Sequence, residues 1–236
     1  MGRQWLQKKR EINAERRGKI ATKLVREITV AAKGGAPDPA LNARLALAVE
    51  AARKQSVSSE TIARAIKKGA GLLGEAVQLE LVTFEGFAPH RVPVIVECLT
   101  DNRHRTVPEI RVLFRDGQLG AKVGFLFDHV GIVEATHPTA GLDLESAAIE
   151  AGAQNVGPLE STPATQSGGR FTTDRGDVDL VARSLRQSGW TVTAAELGYV
   201  AKEEIDLPAG PRAEVEAFLQ ALDDHDDVHR VYTALR

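Results

Sequence analysis

The chain has 236 residues, 43% of them hydrophobic and 26% charged. That is enough chain for one large domain or roughly two to three small ones, with no need of disulfide staples. The only cysteine, Cys98, excludes a disulfide framework and a cysteine-rich zinc site. The net charge of −2 conceals a division: residues 1–76 sum to +9 and residues 77–236 to −11. No apolar run approaches the ~18 residues of a membrane span. The N-terminus lacks the apolar stretch of a secretory signal. Leu6 breaks the myristoylation pattern that Gly2 would open, and Glu11 and Glu15 argue against a mitochondrial presequence.

The first third reads as helical. Ile20, Leu24, Ile28 and Val30 to Ala32 recur at helical spacing until Gly34-Gly35. A second helix is expected from Asp38 as N-cap and Pro39 as first helical residue, with Leu41, Leu45, Ala48, Val49 and Ala52 as its apolar stripe. Ser58 or Ser59 caps a third, which Gly69 stops. These stripes bury only against one another, so they form a small bundle. The polar segment before Lys19 is expected to be mobile until it meets a partner.

After residue 76 the pattern changes. VQLELVTFEG and VPVIVECLT are strands about the turn GFAPHR. TVPEIRVLFRDG is a helix, with Thr106 and Glu109 as capping box and Pro108 in the first turn. VGFLF and HVGIVEA are expected as two strands around Asp128-His129. A helix at LDLESAAIEAG and a short strand near NVGPLE follow. STPATQSGG is a polar loop, GRFTT a strand, and GDVDLVARSLRQSG a helix capped by Asp174 or Asp177. WTVTAAELGYVAKEEIDL is extended, PRAEVEAFLQALDD helical and DVHRVYTAL a last strand. The fold class is α+β: a helical bundle, then two small domains with largely antiparallel sheets and helices on one face.

Few motifs carry chemistry. Gly69, Gly71 and Gly74 spell a dinucleotide fingerprint, but a helix precedes them and a strand follows, the reverse of what that fingerprint needs. They read as a helix stop and a linker. His225 and His229 stand four apart among Asp223, Asp224, Asp226 and Asp227. A helix would let them share a metal, yet the helix ends near Asp223. The reading is an acidic turn, with carboxylates able to attract a cation or a basic surface. In Asp101 to Thr106 the two arginines Arg103 and Arg105 fit an anion clamp, and equally a simple turn. Asp101 with His104 is the best acid–base pair for an enzyme, and no third group joins them. No catalytic residue, metal ligand or cofactor is assigned.

The concentrated signal is Arg3, Lys8, Lys9, Arg10, Arg16, Arg17, Lys19, Lys23 and Arg26. On a helix Lys9, Arg16, Lys19, Lys23 and Arg26 share a face, suited to a row of phosphates. Trp5 is the only aromatic residue among the first 76, which disfavours base stacking and favours phosphate contacts to structured nucleic acid.

The segments RGKIATKLVREITVAAKGGAPDPALNARLALAVEAARKQSV, IARAIKKGAG, FEGF, VIVECLTDNRHRT and DVHRVYTAL resemble the YebC/PmpR family, which includes mitochondrial translational activators of cytochrome oxidase. The resemblance spans nearly the whole chain and is most specific at VIVECLTDNRHRT. It implies a three-domain architecture: a basic helical domain over 1–76, a discontinuous α/β domain over 77–131 plus 206–236, and an inserted α/β domain over 132–205. It also implies DNA-binding transcriptional regulation, or translation regulation on the ribosome. Three places depart from the family. The opening keeps only Trp5 of AGHSKW. The YGPGG turn is Phe87-Ala88-Pro89-His90-Arg91. The GGNLGESGSV loop is shortened to residues 116–123.

The resulting expectation is a cytoplasmic, non-enzymatic regulator of gene expression. Its basic N-terminal set would bind structured RNA, the ribosome or duplex DNA, with Lys67, Lys68, Arg103 and Arg105 as additional contacts. The alternative is a scaffold whose acidic α/β domains bind a basic protein partner.

Overall fold

The computed structural model of the protein describes residues 2–74, 79–159 and 162–236, and of residues 2–17 the backbone alone. In chain order the elements are α1 (Gly2–Lys33), α2 (Ala43–Lys54), α3 (Ser59–Gly69), β1 (Glu80–Phe87), β2 (Pro93–Thr100), α4 (Arg103–Leu113), β3 (Gln118–Leu119), β4 (Phe127–His137), α5 (Leu144–Ala151), β5 (Asn155–Pro158), β6 (Ser167–Thr173), α6 (Val178–Gln187), β7 (Thr191–Ala201), α7 (Ala209–Asp223) and β8 (Val228–Thr233). The chain forms two compact units. One runs to Gly124 and resumes over Glu203–Arg236; the other is Phe125–Lys202. These points differ from the expected edges at 131/132 and 205/206, the first of which would cut β4.

In the first unit α1, α2 and α3 bury one stripe each. Ile28, Leu45, Val49, Ala52 and Ile62 meet in a common core, because none of these helices can hide its apolar face alone. α1 is one unbroken helix from Gly2, although the segment before Lys19 was expected to be mobile. α2 starts later than expected. Asp38 accepts from Ala40 N–H and closes a turn, and Leu41 is 77% exposed, outside the stripe. Asn42 is the cap: its Oδ1 accepts from Leu45 N–H while its Nδ2 donates to the carbonyls of Ala31 and Ala36. An amide performs both tasks at once; a carboxylate has no donor. Ser58 caps α3, accepting from Thr61 N–H.

The α/β part of this unit is an antiparallel sheet in the order β3-β1-β2-β8. α4 and α7 cover one face, where Ile110, Phe114, Val215 and Leu222 pack on Val94, Val96 and Cys98. α4 begins at Arg103, capped by Asn102, whose Oδ1 accepts from Arg105 N–H. Thr106 is therefore not a capping residue, and Pro108 lies inside the helix rather than in its first turn. Thr106 is fully buried and bonds elsewhere, as described below.

The second unit is an antiparallel sheet in the order β5-β6-β4-β7, with α5 and α6 over Val133, Ala135, Phe171 and Trp190. Two expectations are corrected here. The expected strand VGFLF is largely a 3-10 turn over Gly124–Leu126, and β4 starts at Phe127 and runs straight through Asp128-His129, because its register with β7 holds both residues opposite Val200 and Tyr199. The supposed loop residues Ser167 to Gly169 begin β6. A Cβ on Gly168 would collide with Thr162 Oγ1, so these glycines admit close neighbours to a strand. Among the described residues no helix is long and apolar enough to cross a membrane.

Candidate nucleic-acid interface

The basic helix meets the acidic turn inside the first unit. The turn between α7 and β8 carries Asp223, Asp224, Asp226 and Asp227, and it lies against the C-terminal half of α1. Lys23 Nζ pairs with the Asp223 carboxylate at 2.8 Å and also reaches its carbonyl. Arg26 Nη1 stands 2.7 Å from Asp227 Oδ1 and donates to the carbonyls of Asp226 and Leu99. The next residue along α1, Glu27, takes Arg44 at 2.8 Å and His229 at 3.0 Å. Residues about 200 apart in sequence are thereby locked together.

Asp227 is the hub. Its side chain is 2% exposed. It accepts two bonds from Arg105 Nη2, at 2.9 and 3.1 Å, and one from the Thr106 hydroxyl at 2.7 Å. Thr106 Oγ1 is also 2.7 Å from Thr100 Oγ1; since a carboxylate only accepts, Thr106 spends its proton on Asp227. Burial alone would raise the Asp227 pKa. The hydrogen bonds from Arg105 and Thr106 and the charges of Arg26 and Arg105 overcome that and hold it below the ordinary carboxylate range. Arg105 is pushed upward in turn, first by its hydrogen bond to Asp227. Burial likewise opposes ionisation of Glu27, and His229 and Arg44 outweigh it, so Glu27 stays well below its usual value. Burial, reinforced by the negative charge of Asp227, pushes the Cys98 thiol up to about 12.

Around this network lies an open groove of about 700 Å³, lined by Lys19, Arg26, Arg105, Glu109 and the acidic turn. Glu109, His225 and Asp227 bring ligand-type atoms within 4.8 Å of one another. Their bonds are already spent. His225 Nδ1 accepts from Asp227 N–H, its Nε2 contacts Glu109 at 3.2 Å, and two guanidinium groups sit on Asp227. The arrangement is an ion-pair network, and its chemistry is electrostatic docking. His225 and His229 address different carboxylates, Glu109 and Glu27, so they share no site.

The expected contact residues fall into three groups. The side chains of Arg3, Lys8, Lys9, Arg10, Arg16 and Arg17 lie outside the described residues. Lys23, Arg26 and Arg105 are engaged by carboxylates of the same chain. Lys67 and Lys68 are exposed at the end of α3 and Arg103 at the start of α4, and Lys19 is half-buried. Asp101 pairs with Arg105 at 3.3 Å, and no hydrogen bond joins it to His104 among the described residues. The glycine fingerprint has a packing cause instead. A Cβ on Gly69 would sit on the Thr29 carbonyl and 2.9 Å from Ala32 Cβ, while Gly71 and Gly74 take φ of +72° and +90°. Sequence reasoning noted the acidic turn and its appetite for a basic surface. It missed that the surface is the chain's own α1, because nothing local announces a pairing over that distance.

Comparison with known proteins agrees with this architecture. A family model described as the TACO1/YebC protein N-terminal domain matches residues 2–72, and one for the TACO1/YebC second and third domain matches residues 79–235. A probable transcriptional regulatory protein of Pseudomonas syringae pv. syringae is 53% identical, covering 100% of this chain and 99% of that one. The probable transcriptional regulatory protein Bd1964 of Bdellovibrio bacteriovorus is 46% identical over the full length of both. The crystal structure of the conserved hypothetical protein Aq1575 from Aquifex aeolicus superposes with a TM-score of 0.81 at 36% identity, covering 93% of this chain and 90% of that one. The two family models together cover nearly the whole chain, and the chain belongs to the TACO1/YebC family.

Proposed function

We propose that the protein is a cytoplasmic regulator of gene expression that binds structured nucleic acid through the N-terminal half of α1 and performs no chemistry on it. The names of its relatives support a regulatory role. One observation carries the binding reading. α1 is a single helix whose C-terminal half is tied down through Lys23 and Arg26, while six Lys/Arg and two Glu precede Gly18. The phosphate contacts are assigned to Arg3, Lys8, Lys9, Arg10, Arg16 and Arg17, with Lys19, Lys67, Lys68 and Arg103 flanking them. Lys23, Arg26 and Arg105 serve the internal docking. A helix that meets phosphates without base-reading side chains favours RNA or the ribosome over a promoter sequence.

The test is salt dependence. With about six phosphates neutralised, affinity for a structured RNA falls on the order of 10³-fold between 50 and 200 mM salt. Changing Lys8, Lys9 and Arg10 to Ala flattens the log–log slope by about three. A flat dependence in the unaltered protein would sink the proposal. Crosslinking in cells then separates ribosomal or transfer RNA from promoter DNA.

A further inference from the structure

Within the first unit the helical bundle and the α/β part keep separate cores. The cluster about Ile28 and Leu45 and the cluster about Val94 and Ile110 share no residue. Between the two parts runs a polar seam: Lys23 on Asp223, Arg26 on Asp227, and Glu27 against His229. The oxygens that receive the two cations are the Asp223 carboxylate and carbonyl, the Asp227 carboxylate, and the carbonyls of Asp226 and Leu99. Anionic oxygens in succession along a basic helix are also what a phosphate backbone offers.

The seam is built to part without leaving a buried charge alone. If Arg26 withdraws, Asp227 keeps Arg105 and Thr106 of α4, on its own side. If His229 is left behind, Glu27 keeps Arg44 of α2, which moves with the bundle. Asp223 has a side chain 61% exposed and returns to water. Breaking a buried ion pair is costly when it strands an uncompensated charge, and none of these three carboxylates is stranded. An exposed pair such as Lys23–Asp223 is worth little by itself. Residues 70–79 join α3 to β1, and ten residues reach up to roughly 33 Å.

We propose that Lys23 and Arg26 form a second phosphate-binding site on α1, which the chain's own acidic turn covers until a nucleic acid displaces it. The proposal rests on the nucleic-acid reading above and adds its regulation. By spacing, positions 16, 19, 23 and 26 share one face of α1. Freed from the turn, the two cations lengthen the basic row by roughly 10 Å. A nucleic acid already held by the N-terminal half meets the turn as an intramolecular competitor, at high effective concentration. Monovalent salt has no such advantage. The acidic turn thus sets a threshold: weakly held anions leave the seam closed, and a long phosphate backbone opens it.

The experiment uses the full chain and a fluorescent RNA hairpin, with anisotropy reading affinity across a salt series. Asp223→Asn uncovers Lys23. Asp224→Asn removes the same charge one residue on, where the carboxylate accepts from Gln220. The expected result is that Asp223→Asn tightens binding about three- to fivefold over Asp224→Asn and steepens the log–log salt slope by about one. In a Lys23→Gln background Asp223→Asn gives neither gain. Spin labels on Arg53→Cys of α2 and Arg111→Cys of α4, both exposed, read the separation of the two parts, while Cys98 is buried. Saturating hairpin shifts their distance distribution to longer values. A chain that binds the hairpin with a steep salt slope but lacks either signal overturns the covered site and leaves the phosphate reading intact. If neither the unaltered chain nor Asp223→Asn binds the hairpin, both readings fall together.

Discussion

Asp227 shows how one buried carboxylate can organise distant parts of a chain. It gathers Arg26 from α1 and Arg105 and Thr106 from α4. Removing one partner of a buried pair costs more than the pair contributes, because the remaining groups keep their desolvation penalty. Asp227→Ala strands a fully buried Thr106 hydroxyl and a partly buried Arg26, and about 3 kcal/mol of stability is expected to go. Asp227→Asn keeps an acceptor for Thr106 and costs less. Urea unfolding of the two variants checks this; an Ala variant as stable as the parent would remove the hub role. At this scale the sequence is informative about type and poor about partner. Asp223 to Asp227 are visibly an acidic cluster, and Lys23 and Arg26 visibly basic. Pattern alone assigns the cations to phosphates, since free-standing basic residues and residues held by carboxylates look identical until the chain is folded. Thr106 misleads for a related reason: a threonine three before a glutamate matches a capping box, while Asn102, already in place, starts the helix one turn earlier.

Elements were legible where their signals were local. α3, α5 and β5 follow from caps, stops and alternation within a few residues. The apolar run VGFLF looks like a strand but is mostly a 3-10 turn, while Asp128-His129, which resembles a turn, is kept extended by the ladder to β7. The start of α2 moved because Asn42 bonds back to the end of α1, a tertiary reason for a local boundary. Gly69 belongs to the same class. Its place in the sequence suggests a helix stop, and α3 does end there. Its larger role is to let α3 approach α1 at Thr29 and Ala32. Gly69→Ala must push the two helices apart, at an expected cost of about 1–3 kcal/mol. Gly71→Ala is the contrast. Nothing lies within 4 Å of its Cβ, and only the left-handed φ of +72° is penalised, at about 1–2 kcal/mol. Loss of α1–α3 core protection in hydrogen exchange is expected for the first variant alone. Equal protection in both would show that the close approach is not limiting.

At the scale of the whole chain, the opposition of +9 and −11 has two uses, and they respond to different solution conditions. The N-terminal half of α1 offers its charge outward under the proposed function, where contacts to a polyanion are strongly salt-dependent. The C-terminal half spends its charge inward on Asp223, Asp227 and the neighbouring carbonyls, where partial burial weakens screening. The inward contacts should instead yield to acid. Glu27 and Asp227 both have pKa values lowered in the folded protein. An unfolded carboxylate titrates near pH 4, so the unfolded chain takes up protons first as the pH falls. The stability these two groups contribute is therefore complete above about pH 5 and is lost progressively as the pH drops through 4 and below. Urea midpoints measured from pH 6 to pH 3 should fall, and the fall should be shallower in Asp227→Asn, which has lost one of the two titrating groups. The same midpoints at pH 7 should change little between 50 and 200 mM salt, the interval over which RNA affinity collapses. A midpoint as salt-sensitive as the RNA affinity would mean that both halves of α1 are ordinary surface charge, and that the acidic turn holds nothing.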